Sequence, residues 1–498
     1  MPGQAAGKAG VTLISQFEVP DNYTVNFWNG SSLVVKNEIL FPAGVDFSGI
    51  HDGEKFQEAF EIVPDDVEDD DDDDSRTPDI GRASSSDDGG DDPPVRVQGY
   101  PSPVVKHSYN SIAGYFLNDE EHQDVAVLSI LSFLPIGLQL SQLTTFNITE
   151  YVLEARDVIV EFIHAAQEDG RDKLVLDLSA NGGGSILFAQ EVYRLLFPDG
   201  DFTSYDRYRL NEALEASAAA DYEQFLSMFV STTYPIDVDG EKMKDGDDFI
   251  GPFTAGGQNV TAPFQLDLST PWAVDTWING FEPVRQLTAI PTAPFEPENI
   301  IIVTDGTCAS ACGILTGLLT RNHGIRTLAL GGRPNHLPMQ SMGGVRGTLV
   351  SLSSDILTAF KQFTRAVSTS STSRSILEDI TDSIPSFSLP PLKPLIRGDA
   401  GGRVNSRNGY STDDIDGLPL HFKYEAANGR LFYTQLMSAD VRETWRRAAG
   451  VAWRGEKCVR GSTVNDDHTM GDETVAFTTA VRTEVQPLEG PGALPVRW

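Results

Sequence analysis

The densest set of groups able to act on a carbonyl lies in Thr304-Asp-Gly-Thr-Cys-Ala-Ser-Ala-Cys312. It follows Asn299-Ile-Ile-Ile-Val-Thr304, an apolar run of buried-strand type, and precedes a predicted helix over about residues 309–322 that Gly324 closes. Ser310 therefore falls at a helix N-terminus, where unpaired N–H groups and the dipole favour developing negative charge. The small residues around it leave room for an acyl group and a close backbone. A serine in that place is either a nucleophile or an ordinary helix cap, and the segment alone leaves both open. It is not the Gly-x-Ser-x-Gly elbow of other hydrolases. Cys308 and Cys312 read as a thiol nucleophile or ligand pair, or as small buried residues of a tight turn.

A second segment has related chemistry. Leu176-Asp-Leu-Ser-Ala-Asn-Gly-Gly-Gly184 also links a strand to a helix, and its glycines permit a sharp turn whose N–H groups could line an oxyanion hole. A phosphate-cradling loop or a plain turn are the alternatives. Neither dinucleotide nor P-loop glycine spacing is met.

The elements that position these segments alternate along the chain. Residues 124–133 form a near-continuous apolar run, as for a strand covered on both faces. Over 147–166, Val152, Ala155, Ile159, Phe162, Ile163 and Ala166 share one helical face, with Asn147 as cap and Gly170 as stop. Lys173-Leu-Val-Leu-Asp-Leu178 is the next strand, 186–197 the next helix, and 325–330 a strand leading into a Gly-rich turn. Such order predicts an α/β fold with a mainly parallel sheet. Ahead of it, Val25, Phe27, Leu33 and Val35 alternate around a turn and predict a β-hairpin, too small to stand alone.

Composition bounds the partners. The 498 residues carry 72 Asp+Glu against 37 Lys+Arg, a net charge of −35. Between Asp65 and Asp92 stand 14 acids and two arginines, a tract too polar to offset its chain entropy and expected to be a disordered linker. The acidity argues against nucleic acid as partner. No apolar stretch has the length of a membrane span, and no Cys/His cluster has zinc spacing, so neither membrane nor cofactor is implied. The expected divisions are a β-rich remnant at 1–62, the linker at 63–98, a core at 99–365 and 416–485, and an irregular Ser/Pro-rich insertion at 366–415.

Taken together and in this order, Asp177-Leu-x-x-Asn181-x-Gly-Gly, the serine in its small-residue turn and Gly331-Gly-Arg-Pro334 resemble the tail-specific, C-terminal-processing serine peptidases. The resemblance covers Gly99 to about Ser462 and is strongest to the filamentous-fungal branch. It implies a crotonase-like core, a peptide or protein substrate, Ser310 as nucleophile, and backbone donors at Gly183 and Gly184. The lysine of the bacterial members has no counterpart between Gly331 and Gly347. The resemblance is then to the His/Ser/Glu members, whose glutamate falls on Glu425 in Phe422-Lys-Tyr-Glu-Ala-Ala-Asn-Gly. Some fungal members belong to gene clusters for ribosomally made cyclic peptide toxins of the ustiloxin and phomopsin type, where they are taken to help cut the precursor.

The base is the weak point. In the fungal branch a His-Asp-Gly-His-like motif precedes the hairpin, and no such motif does so here, so the chain reads as lacking an N-terminal region that would also bear a secretion signal. His51 in Gly-Ile-His51-Asp52-Gly follows the hairpin and lacks the second histidine; His336, beyond the Gly-Gly-Arg-Pro segment, is the other candidate by chain position. Two further readings compete with a serine endopeptidase: a peptide-binding relative without the base, and acyl-thioester binding on a crotonase-like core.

Overall fold

The computed structural model describes residues 22–26, 31–36, 99–136, 147–226, 235–269, 278–280, 289–343, 349–352 and 403–474, with a few single residues between them. The acidic linker and the Arg397-Gly-Asp399 triplet lie outside the described residues. At the N-terminal end, Asn22–Asn26 pairs antiparallel with Ser32–Lys36, which is the expected hairpin.

The core is a seven-stranded sheet whose strands lie side by side in chain order. β1 (Val105–Lys106), β2 (Ile112–Phe116) and β3 (Val125–Ile130) form an antiparallel meander. From β3 onward the pairing is parallel: β4 (Lys173–Asp177), β5 (Ile300–Thr304), β6 (Arg326–Leu330) and β7 (Gly429–Leu431). Helices α1 (Ile148–Glu168), α2 (Ile186–Leu196) and α3 (Ala311–His323) make the crossovers, and α4 (Val441–Trp453) follows β7. This is the α/β, mainly parallel architecture that the alternating elements predict.

Local chemistry explains the boundaries. Asn147 Oδ1 accepts from Thr149 N at 3.0 Å and Glu150 N at 3.3 Å, so the first orphan donors of α1 are satisfied. Gly324 ends α3 at φ +63°, a left-handed value that glycine adopts without cost. All six residues of β3 are buried because both sheet faces are covered. Leu128, Leu176 and Ile302 point to the layer of α1, α2 and α3; Val127, Val175, Ile301 and Leu328 point to α4.

A smaller antiparallel sheet has Arg403–Ser411 between Leu349–Leu352 and Ser204–Arg207. Residues 403–411 were expected within an irregular insertion, and this is corrected here. The strand has few apolar residues because it is held by charge: the buried Arg407 Nε lies 3.1 Å from Asp206 Oδ2. An apolar pattern is what strand reading depends on, so this one gave no signal.

Trp445 fixes α4 to the carboxyl end of β4. Its indole is fully buried and donates from Nε1 to Asp177 Oδ2 at 2.8 Å. Burial pushes the Asp177 carboxyl above the usual carboxylate range, with the Trp445 and Ser179 donors opposing it, so its contribution to stability is lost as pH rises through the folded pKa. Removing the indole donor raises that pKa further. Trp445→Phe is therefore expected to cost about 2 kcal/mol, with a larger loss at pH 8 than at pH 5. Denaturant unfolding at the two pH values checks both the size and the sign.

Candidate active site

Ser310 occupies the N-cap position of α3 with φ +52° and ψ −123°, and its side chain makes no cap hydrogen bond. Among the described residues there are eight α-helices, and in the other seven the N-cap side chain accepts from a backbone N–H of the first turn. The plain cap reading thus fails at this serine. A positive φ at a non-glycine residue costs on the order of 1–3 kcal/mol and persists only where surroundings impose it.

The surroundings are specific. Gly183 has φ +109°, and a Cβ there would stand 2.7 Å from Ala309 O, 2.8 Å from Ser310 Cβ and 3.1 Å from Ala311 N. Only a glycine lets the two loops approach so closely. The glycine loop is tied on three sides. Asn181, fully buried, donates from Nδ2 to Ile130 O at 2.9 Å; Ala180 N donates to Asp305 Oδ2 at 3.0 Å; Phe133 N donates to Gly183 O at 2.9 Å. Asp305 also accepts from Thr307 N, so one carboxylate holds both the loop and the serine turn.

The same network alters the part expected of Gly183. Its N–H donates to Asn181 Oδ1 at 2.8 Å and is occupied. Gly183 is a packing residue in this conformation, in place of the open donor that the resemblance implied. The Ala311 N–H, at the first position of α3, belongs to the helix's orphan donors and lies against the same glycine. Sequence reading did not single out Ala311; its place directly after the serine at a helix start was the available signal.

Cys308 and Cys312 form a disulfide that brackets Ser310, with Cα atoms 5.2 Å apart and both residues fully buried. Neither open reading of these cysteines named this link. Cys458 is a buried free thiol whose pKa burial pushes up to about 11, so it is not a thiolate at neutral pH.

Glu425 sits on the segment that leads into β7 and makes no hydrogen bond to Ser310. It is half-buried, and its backbone N lies 3.5 Å from Gln340 Oε1. Gln340 bridges to Ala426, and three residues on Gly343 N donates to Cys308 O. One segment, residues 339–343, thus touches both the backbone at the glutamate and the serine turn. Arg430, also missed in the sequence, shapes the Gly331-Gly-Arg-Pro334 turn from within, donating to Gly331 O at 2.8 Å and Leu337 O at 2.8 Å. His336 lies exposed on that turn, and His51 is exposed beside Asp52. Three of the other six histidines serve elsewhere: His107 Nε2 bonds Tyr151 O, His122 pairs with Asp119, and His323 stacks on Phe197 at 3.7 Å. No histidine among the described residues makes a hydrogen bond or ring contact to Ser310. Among those residues there is also no cluster of ligands fit for a metal ion, and no helix long and apolar enough to cross a membrane.

Opening the bracket should loosen the fold measurably. Replacing Cys308 and Cys312 together by serine is expected to cost about 2 kcal/mol, the chain-entropy value for a loop this short. Denaturant unfolding of the double variant against the parent checks this.

Comparison with known proteins covers the same segments. Residues 138–346, which include the glycine loop and Ser310, match the family model Peptidase family S41. Peptidase S41 family protein ustP of Aspergillus flavus is 32% identical over 388 residues, covering 73% of this chain and 76% of that protein. Peptidase S41 family protein phomP1 of Diaporthe leptostromiformis is 32% identical over 402 residues, covering 72% of this chain and 58% of that protein. The solved photosystem II D1 C-terminal processing protease overlays 65% of this chain and 48% of its own at 13% identity and a TM-score of 0.26. On its relationship to ustP, this chain belongs to peptidase family S41.

Proposed function

We propose that this protein is a serine endopeptidase that cleaves peptide bonds through an acyl-enzyme on Ser310. The observation that carries the reading is the backbone of Ser310: a strained, uncapped serine at the start of α3, pressed against Gly183. In that place the hydroxyl attacks the scissile carbonyl, and the N–H groups of Ala311 and Gly184 receive the oxyanion at the positive end of the helix. Glu425 would orient a base and stabilise its charged form, acting across the segment 339–343. Membership of family S41 supports a peptide or protein as substrate. The likeness to ustP and phomP1 supports the finer reading, that the substrate is the ribosomally made precursor of a cyclic peptide of the ustiloxin or phomopsin type.

A second reading is favoured by one observation, the lack of any histidine contact to Ser310 among the described residues. In it the cleft binds peptides without turning them over. Hydrolysis of a precursor-like peptide library separates the two. The endopeptidase reading expects turnover that Ser310→Ala reduces by at least about 10³-fold and Glu425→Gln by less, as a nucleophile outweighs its orienting carboxylate. Peptide binding with no turnover by the parent chain would decide for the binding protein.

A further inference from the structure

Asparagine followed two residues later by threonine, the acceptor pattern for N-linked oligosaccharide, occurs at exposed positions of the core: Asn147-Ile-Thr149 and Asn259-Val-Thr261. Such a pattern also arises by chance and is not a site by itself. The second observation is the Cys308–Cys312 bridge. Both of its residues are fully buried, so the bridge closes while the chain folds. That requires an oxidising compartment, because cytosolic thiols are kept reduced. Two thiols there give up two electrons and two protons to an oxidoreductase of the dithiol–disulfide class. The third cysteine, Cys458, is buried with its thiol protonated, and does not compete for the bridge. In a eukaryotic cell the compartment that oxidises nascent chains also transfers oligosaccharide to them. We infer that this protein folds in the secretory compartment and carries N-linked oligosaccharides on Asn147 and Asn259. The inference does not depend on the endopeptidase reading.

The fold leaves room for both modifications. In the transfer, Asn Nδ2 bonds to C1 of the reducing-end N-acetylglucosamine of a polyprenyl-diphosphate-linked oligosaccharide. The C1–O bond breaks, polyprenyl diphosphate leaves, the amide nitrogen gives up one proton, and nothing is oxidised or reduced. At Asn147 the sugar and the helix cap use different atoms. Oδ1 accepts from Thr149 N at 3.0 Å and Glu150 N at 3.3 Å, and it stays an acceptor once Nδ2 is substituted. Asn259 lies on the hairpin strand Gln258–Val260, just beyond the Gly256-Gly257 turn. Its neighbour Val260 is buried, so alternation along the strand turns Asn259 to solvent. Thr261 is fully buried, and its Oγ1 accepts from Tyr208 N at 3.0 Å and donates to Ala262 O at 3.1 Å. A transferase cannot reach that hydroxyl in the folded chain, so transfer to Asn259 precedes closure of the hairpin. A bulky, hydrated group then projects from each position without displacing a packed side chain.

The test uses full-length protein isolated from the organism that encodes it. Its peptides are mapped by mass spectrometry, before and after peptide-N-glycosidase treatment in isotopically heavy water. Peptides holding Asn147 and Asn259 should show hexose-spaced mass ladders. Each ladder should collapse on treatment to a single peptide in which the asparagine has become aspartate with one heavy oxygen. The peptide holding Cys308 and Cys312 should resist alkylation until it is reduced. Asn147→Asp, introduced at the native locus, keeps a cap acceptor. It should remove the ladder at that position alone and leave the thermal midpoint unchanged. Asn259→Asp should do the same at its own position. Bare asparagine at both positions overturns the inference, and bare asparagine at one overturns the assignment there. A ladder that persists in the matching Asp variant also overturns that assignment. Cysteines 308 and 312 that alkylate without reduction overturn the compartment on which the inference rests.

Discussion

A non-glycine residue at φ +52° and ψ −123° survives only where its neighbours remove the alternatives, and Ser310 has three such neighbours. The Cys308–Cys312 bridge closes the chain on both sides of it. Gly183 fills the space beside its Cβ so closely that no larger residue fits. Asp305 joins the serine turn to the glycine loop by accepting from Thr307 N and Ala180 N. The conformation costs on the order of 1–3 kcal/mol, and a well-packed core offsets it. Strain of this kind is expected at functional sites, since it aims a side chain where relaxed backbone would not.

The sheet is what makes those three contacts simultaneous. β3, β4 and β5 lie adjacent and parallel, so Asn181 can reach Ile130 O, Phe133 can meet Gly183, and the Ser310 turn falls beside both. α4 then covers the end of β4 through Trp445 and the buried Asp177. This end of the sheet is thus assembled from segments 51, 125 and 268 residues apart, each held by a hydrogen bond.

What the sequence made legible follows the signal that each feature leaves. The parallel strands and their helices were readable because apolar residues recur with the right period and Asn147 and Gly324 punctuate them. The pairing of the glycine loop with the serine turn was readable through the family resemblance that their order and residue types carry. The disulfide was not, because two cysteines four apart at a helix start have the same composition whether linked or free. Strand Arg403–Ser411 was missed because Arg407 and Asp206 replace apolar packing there. Arg430 and Asp305 left no periodic trace, since each works by filling the hydrogen-bonding needs of loops distant in sequence. Gly183 shows the limit of a residue match: the resemblance implied an open donor, while the neighbouring Asn181 takes its N–H.

The central claim is that Ser310 is a reactive nucleophile, and covalent labelling tests it most directly. Full-length protein is treated with a fluorophosphonate, and the adduct is located by peptide mass mapping in the parent and in Ser310→Ala. The account predicts one adduct per chain, on Ser310, and none in the variant. An unlabelled parent chain, or an adduct that persists in Ser310→Ala, would contradict it.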